Sequence, residues 1–100
     1  MFDFDRIVGF EWDEGNAWKS EQKHAVSQAE AEQIFFNEPL LIADDILHSQ
    51  EEPRFHALGK ADNGRLLHLT FMLRAAGTKI RVISARTMSR KERAYYEKTI

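Results

Sequence analysis

Cations crowd the stretch from Ile80 to Glu97, IRVISARTMSRKERAYYE, in an arrangement suited to holding phosphate. A β-branched strand carries Arg81 and Arg86, then passes through a short turn into a helix that begins at Ser89. Glu92 follows Ser89 by three residues, a capping-box pattern. Arg90, Lys91 and Arg93 fill the first turn, where the positive end of the helix dipole gives cations no help. Cations gathered at a strand end and a helix N-terminus make a candidate phosphate cradle. A solvated basic face paired with acidic neighbours is the plainer reading of the same residues. Arg81 and Arg86 have opposite parity in a regular strand, so only one need face a site from within it. Arg86 lies at the strand end and can escape that constraint.

Other groups could move protons. Lys19, Lys23 and His24 occupy the end of the first helix, where cations also suit the negative end of the dipole. Tyr95 and Tyr96 are adjacent on the last helix and point about 100° apart, so one can pack while the other faces out. Trp12 and Trp18 fit a core or interface better than a base-stacking platform. His24, His48, His56 and His68 form no i, i+4 pair and no HExxH motif, although His56 and His68 could meet across neighbouring strands. Without cysteine there is no thiolate nucleophile and no Cys-based zinc site. Ser27 and Ser89 have cap positions, the other serines lack a nucleophile motif, and the glycines form no nucleotide-binding loop. Neither a metal nor a nucleotide cofactor is expected.

This inventory suits RNA cleavage without metal. Attack by a 2′-hydroxyl on its neighbouring phosphate needs a base, an acid and cations to hold developing charge. Arginine makes two-pronged, permanently charged contacts to phosphate. Histidine, lysine, glutamate or tyrosine can move the protons. Most small basic sheets contain these residues, so the inventory alone does not single out a nuclease.

Local sequence signals predict the secondary structure that carries these groups. A short strand covers Ile7 to Trp12 and a helix runs through Glu14 to His24. Ser27 and Glu30 form a second capping box, so another helix runs from Gln28 to Phe36 with Ala31, Ile34 and Phe35 inward. Asn37-Glu38-Pro39 stops it. Leu40 to Ala43 is a short strand closed by Asp44-Asp45, and His48 to Pro53 is a loop. Arg54 to Lys60 is a strand, Asp62-Asn63-Gly64 a turn, and Arg65 to Arg74 the longest strand. Its two faces alternate Leu67, Leu69, Phe71 and Leu73 with His68, Thr70 and Met72. Ala76-Gly77 leads into Lys79 to Arg86, and a helix from Arg90 to about Lys98 follows. The expected class is α+β: two N-terminal helices, an antiparallel sheet of three to four strands and a C-terminal helix.

One hundred residues suit a single domain spanning 1–100, and 43% hydrophobic with 30% charged residues is a globular composition. No window approaches the ~20 apolar residues of a membrane span, and the acidic start does not read as a signal peptide, so a cytoplasmic location is expected. The net charge of −2 hides an asymmetry. Residues 1–50 hold three cations against eleven acids, and residues 51–100 hold eleven cations against five. Such a split is a mark of polyanion binding in the basic part.

Four segments carry a resemblance: FEWDEGNAWKSEQKHAVS (10–27), EAEQIFFNEPLL (30–41), HSQEEPRFHALGKADNGRLLHLTF (48–71) and IRVISARTMSRKERAYYE (80–97). In their order and spacing the chain resembles the BrnT family of toxins from bacterial type II toxin–antitoxin systems. The resemblance implies a RelE-like α+β fold and a ribonuclease activity that arrests translation. It also implies a BrnA-like antitoxin with a ribbon-helix-helix domain, so that DNA is met only through that partner, in a heterotetramer. Lys23, His24, Arg54, Arg81, Arg86 and Tyr96 match the family pattern. By that match Arg81 and Arg86 bind phosphate and His24 or Lys23 transfers protons, with Tyr96 as a weaker alternative, and Arg54 binds RNA; Lys19 and Arg90, from the basic set, are expected to bind RNA as well. Glu92 is a further possible base, although capping already accounts for it. The family often has glycine after the histidine, where Ala25 stands here. The competing expectation is a non-catalytic partner-docking or co-repressor module of the same fold.

Overall fold

A computed structural model of the chain describes residues 4–13, 15, 19, 22–46 and 52–99. Its centre is a five-stranded sheet in the order β1-β5-β4-β3-β2. The strands are β1 (Gly9–Trp12), β2 (Leu41–Asp44), β3 (Arg54–Lys60), β4 (Leu66–Arg74) and β5 (Lys79–Thr87). Helix α1 (Gln28–Gln33) continues into a 3₁₀ turn (Ile34–Phe36), and α2 (Arg90–Thr99) follows β5. The class is α+β, but the sheet is larger than expected and not purely antiparallel. Strand β1 joins it beside β5 in parallel, Gly9 opposite Lys79 and Trp12 opposite Val82. A parallel neighbour needs no hairpin and can come from anywhere in the chain, so no turn signal announces it. Of the expected first helix, residues 15, 19 and 22–24 are helical; its remainder, Trp18 included, lies outside the described residues, as do His48 and Ser49.

Alternation in the strands makes one face of the sheet the core. Phe55, Ala57, Leu67, Leu69, Phe71, Ile80, Val82 and Ala85 are all buried there, packed on Val26, Ala31, Ile34 and Phe35. The Phe35 ring stands edge-on to Phe71, with centroids 5.4 Å apart. Helix α1 starts as expected: the Ser27 hydroxyl accepts from the Glu30 amide and the Glu30 carboxylate accepts from the Ser27 amide. Glu30 then reaches Arg65 at 2.8 Å, tying the helix to the strand β4 that follows. On the other side the Trp12 indole donates to Glu32 at 2.8 Å, holding β1 against α1.

The outer face owes its layout to one irregularity. Thr70 pairs with Ser84 while the next residue, Phe71, pairs with Val82, leaving Ile83 as an extra residue in β5. This bulge reverses side-chain parity beyond it. Arg81 and Arg86, on opposite faces of a regular strand, therefore both lie on the face away from the core.

Two backbone positions show how tightly the inner layer fits. A Cβ on Gly59 would sit 2.8 Å from the Ile34 Cβ, so the strand approaches the 3₁₀ turn at a distance only glycine permits. Ala25 has φ +53°, the left-handed region, just after the last helical residue His24. Glycine adopts that conformation without the Cβ penalty, which gives a physical reason for glycine at this helix end. Gly59→Ala should lower stability by about 1–3 kcal/mol through overpacking. Ala25→Gly should raise it by up to about 1 kcal/mol by relieving the left-handed alanine. Urea unfolding midpoints of the two variants, shifting in opposite directions, check both.

Candidate active site

On the outer face the register sets side chains in rows across the strands. Leu41, Leu58, His68 and Arg86 make the first row, beside α2. Ala43, His56, Thr70 and Ser84 make the second. Arg54, Met72, Arg81 and Glu11 make the third. Arg86 and Arg81 are thus separated by two rows, roughly 13 Å at the usual rise of a strand.

The first two rows and helix α2 enclose a groove of about 480 Å³, lined by Leu41, Ile42, Ala43, His56, Leu58, His68, Arg86, Glu92 and Tyr95. Leu41, Ala43 and Leu58 share the sheet face with His56, His68 and Arg86, while Glu92 and Tyr95 come from α2. Glu92 keeps its capping role, accepting from the Ser89 amide at 2.8 Å. The same carboxylate takes both prongs of Arg86, Nη1 to Oε1 and Nη2 to Oε2, each at 2.8 Å. The Arg86 hydrogen bonds, followed by the Ser89 amide, pull the Glu92 carboxyl down to about 2 against the opposing effect of burial. The same carboxylate raises the guanidinium's own value.

His68 sits directly opposite Arg86 and is 9% exposed. Burial first, and then the Arg86 charge, push its imidazole down to about 4, so it is neutral at pH 7. Its Nδ1 is enclosed without a hydrogen bond, and its Nε2 lies 3.9 Å from Glu92 Oε2. The expected meeting of His56 and His68 occurs, with ring centroids 5.0 Å apart. His56 is held at both nitrogens, Nε2 by the buried Asp45 at 3.1 Å and Nδ1 by the Thr70 hydroxyl at 3.2 Å. Among the described residues no group of three or more His, Asp or Glu is arranged to hold a metal ion.

The residues singled out from the sequence are dispersed. Arg86 lines the groove. Arg81 lies in the third row, bound to Asp13 at 3.3 Å and near Glu11 at 3.9 Å. Arg54 shares that row and is partly buried. Lys19, Lys23 and His24 are exposed on the first helical segment, and Arg90 is exposed in the first turn of α2; none of them lines the groove. Tyr96 is fully buried, its hydroxyl donating to the Pro39 carbonyl, which anchors α2 beside β2. That placement corrects the choice between the tyrosines: the phenol at the groove is Tyr95, 64% exposed, because the core needed the other. His56, His68 and Tyr95 line the groove and were not among the residues expected to act on RNA. The alternation placing His68 opposite the leucines was a signal for it, but its juxtaposition with Arg86 needs the strand register.

An α+β domain face bearing an arginine, a neutral imidazole, a carboxylate and a phenol in one open groove has the equipment of a phosphodiester-cleaving protein. A family model described as the ribonuclease toxin, BrnT, of type II toxin–antitoxin system matches residues 12–92, and the chain belongs to that family. It is a ribonuclease toxin, and its system supplies an antitoxin as partner. The fold is similar to that of the Brucella abortus ribonuclease toxin BrnT, known from a 1.1 Å crystal structure. The TM-score is 0.62 at 19% identity over 83% of this chain and 99% of that one. No curated protein matches the chain significantly.

The shifted groups couple stability to pH. His68 titrates at about 4 folded and near 6.5 unfolded, so the unfolded chain binds the extra proton between those values. Its contribution is present above about 6.5 and lost as pH falls to about 4. The Glu92 contribution is present above 4.5 and lost as pH falls towards about 2. Urea midpoints measured from pH 7 to pH 3 should therefore fall in both windows. His68→Gln should flatten the upper window and leave the lower one.

Proposed function

We propose that this toxin cleaves RNA without a metal ion, at the groove beside α2, by attack of a ribose 2′-hydroxyl on the adjacent phosphate. The observation that carries the reading is Arg86 held at the groove wall next to neutral His68 and Tyr95. The bidentate geometry that Arg86 offers Glu92 is the one it would offer the two non-bridging oxygens of a phosphodiester. Arg86 binds the scissile phosphate and stabilises the charge that develops on it. A base takes the 2′-hydroxyl proton, and the Tyr95 phenol protonates the leaving 5′-oxygen. Lys19, Lys23, Arg54, Arg81 and Arg90, outside the groove, hold flanking backbone through charge, and His24 stands beside Lys23 as a hydrogen-bonding group. Arg81 and Arg54, two rows from Arg86 on the same face, extend that contact along the strand direction.

In this reading the chain is one RelE-like domain over residues 1–100, acting in the cytoplasm to stop translation. No helix among the described residues is long and apolar enough to cross a membrane. A BrnA-like antitoxin with a ribbon-helix-helix domain neutralises it in a heterotetramer, and contact with DNA runs through that antitoxin. A second reading, a docking or co-repressor module without chemistry, is favoured by one observation: both prongs of Arg86 are already engaged by Glu92.

Expression of the chain alone separates the two. Wild type should arrest growth, and Arg86→Ala should relieve the arrest while remaining folded. Purified protein should cleave RNA in the presence of chelator, and Arg86→Ala should slow cleavage about 10²–10³-fold. Harmless expression of wild type favours the docking module, and loss of cleavage on chelation overturns the metal-free mechanism. Arg81→Ala, remote from the groove, should cost less and act mainly through RNA affinity.

A further inference from the structure

We infer that His68 is the catalytic base of this toxin, receiving the 2′-hydroxyl proton through Nε2 once a phosphodiester has engaged Arg86. The inference rests on the ribonuclease reading of the groove and assigns a residue outside the family-matching cationic positions.

The other ionisable groups near the groove are already engaged or lie elsewhere. Glu92 accepts from the Ser89 amide as the cap of α2 as well as from Arg86, and its carboxyl is lowered to about 2. It is therefore a poor proton acceptor, and the cap still holds it where phosphate shares Arg86. His56 has Asp45 on one nitrogen and the Thr70 hydroxyl on the other. Lys23 and His24 do not line the groove. His68 is neutral, nine-tenths buried, and its ring lies at the groove wall directly across from the phosphate-binding arginine. Directly opposed residues on antiparallel strands hold their Cβ atoms about 4.5–5.5 Å apart, a spacing that lets one grip a phosphate while the other reaches the adjoining ribose. Its enclosed Nδ1 cannot meet substrate, so proton exchange passes through Nε2, which faces α2 and Glu92.

Buried polar atoms without a partner are uncommon in folded proteins, and each calls for a reason. Here the unpaired imidazole is kept unprotonated until needed. The groups facing it are His56 from β3, Arg86 from β5, and Glu92 and Tyr95 from α2, with Asp45 behind His56. In the free protein burial and the Arg86 charge both disfavour imidazolium. Glu92 already opposes them, and a bound phosphodiester adds a second anion beside the guanidinium, so the imidazole becomes more basic when substrate is in place. The 2′-oxygen gives its proton to Nε2 and bonds to phosphorus as the bond from phosphorus to the 5′-oxygen breaks. The 5′-oxygen takes the Tyr95 proton, leaving a 2′,3′-cyclic phosphate and a 5′-hydroxyl. Imidazolium and phenolate then exchange protons with water.

The test uses full-length protein and a short RNA of mixed sequence that wild type cleaves in chelator. His68→Gln should lower kcat about 10²–10⁴-fold with KM roughly unchanged, and should remove the acidic limb of the kcat–pH profile. A substrate with sulfur in place of the leaving 5′-oxygen needs no acid; it should rescue Tyr95→Phe and leave His68→Gln slow. Wild-type kcat with an intact acidic limb in His68→Gln, or rescue of that variant by the sulfur substrate, overturns the assignment. Should His68→Gln fail to fold, the imidazole is followed by NMR in wild type with a strand carrying a 2′-deoxyribose at the cleavage position. An upward shift of the His68 titration on binding supports the assignment, and an unmoved titration overturns it. Absence of wild-type cleavage counts separately, against the ribonuclease reading of the groove.

Discussion

Glu92 is where the last strand, the last helix and the groove are joined. Its carboxylate caps α2 through the Ser89 amide and grips Arg86 at the end of β5 with two hydrogen bonds of 2.8 Å. A charge-assisted, bidentate pair of this kind fixes direction as well as distance. It sets the angle at which α2 leaves the sheet, and so it shapes the groove between them. It also places a permanent cation opposite His68, one of the influences that keep that imidazole neutral. The pair is partly exposed, so its contribution to stability is modest. Its larger effect is positional.

The two faces of the sheet divide the work. The inner face is an apolar layer closed by α1 and the 3₁₀ turn, close enough at Gly59 to exclude a methyl group. The outer face carries the ionisable residues in rows. Tyr96 fastens α2 by burying its ring and donating its hydroxyl to the Pro39 carbonyl. This leaves Tyr95, next to it, at the groove mouth. A rigid apolar layer behind a charged surface fixes the side chains that surface carries, since they are only as fixed as the elements beneath them.

Membership in the BrnT family identifies the chain as a ribonuclease toxin, and the geometry refines how its charged residues relate. The cations in the family-matching segments do not form one cluster. Arg86 is at the groove, Arg81 is two rows away among acids, and Lys23 and His24 lie on another element. A strand of RNA is long and charged throughout, so cations spread over a surface are compatible with binding one. The ion pairs that Arg81 makes with Asp13 and Glu11 are partly exposed.

The amino-acid sequence alone determined what depends on near neighbours. Both capping boxes, the alternation that makes β3 and β4 two-faced, the Asn-Gly turn between them and the bounds Arg54–Lys60 follow from interactions spanning a few residues. Those same signals contain the candidate chemistry as a list of residues. Tertiary structure decided which members of the list meet. The parallel pairing of β1 with β5 joins residues seventy positions apart. The bulge at Ile83 reverses parity within one strand and brings Arg81 and Arg86 to one face. Packing beside Pro39 chose Tyr96 for the interior. Each outcome turns on contacts between distant segments competing for one core, and local propensity carries no term for that competition.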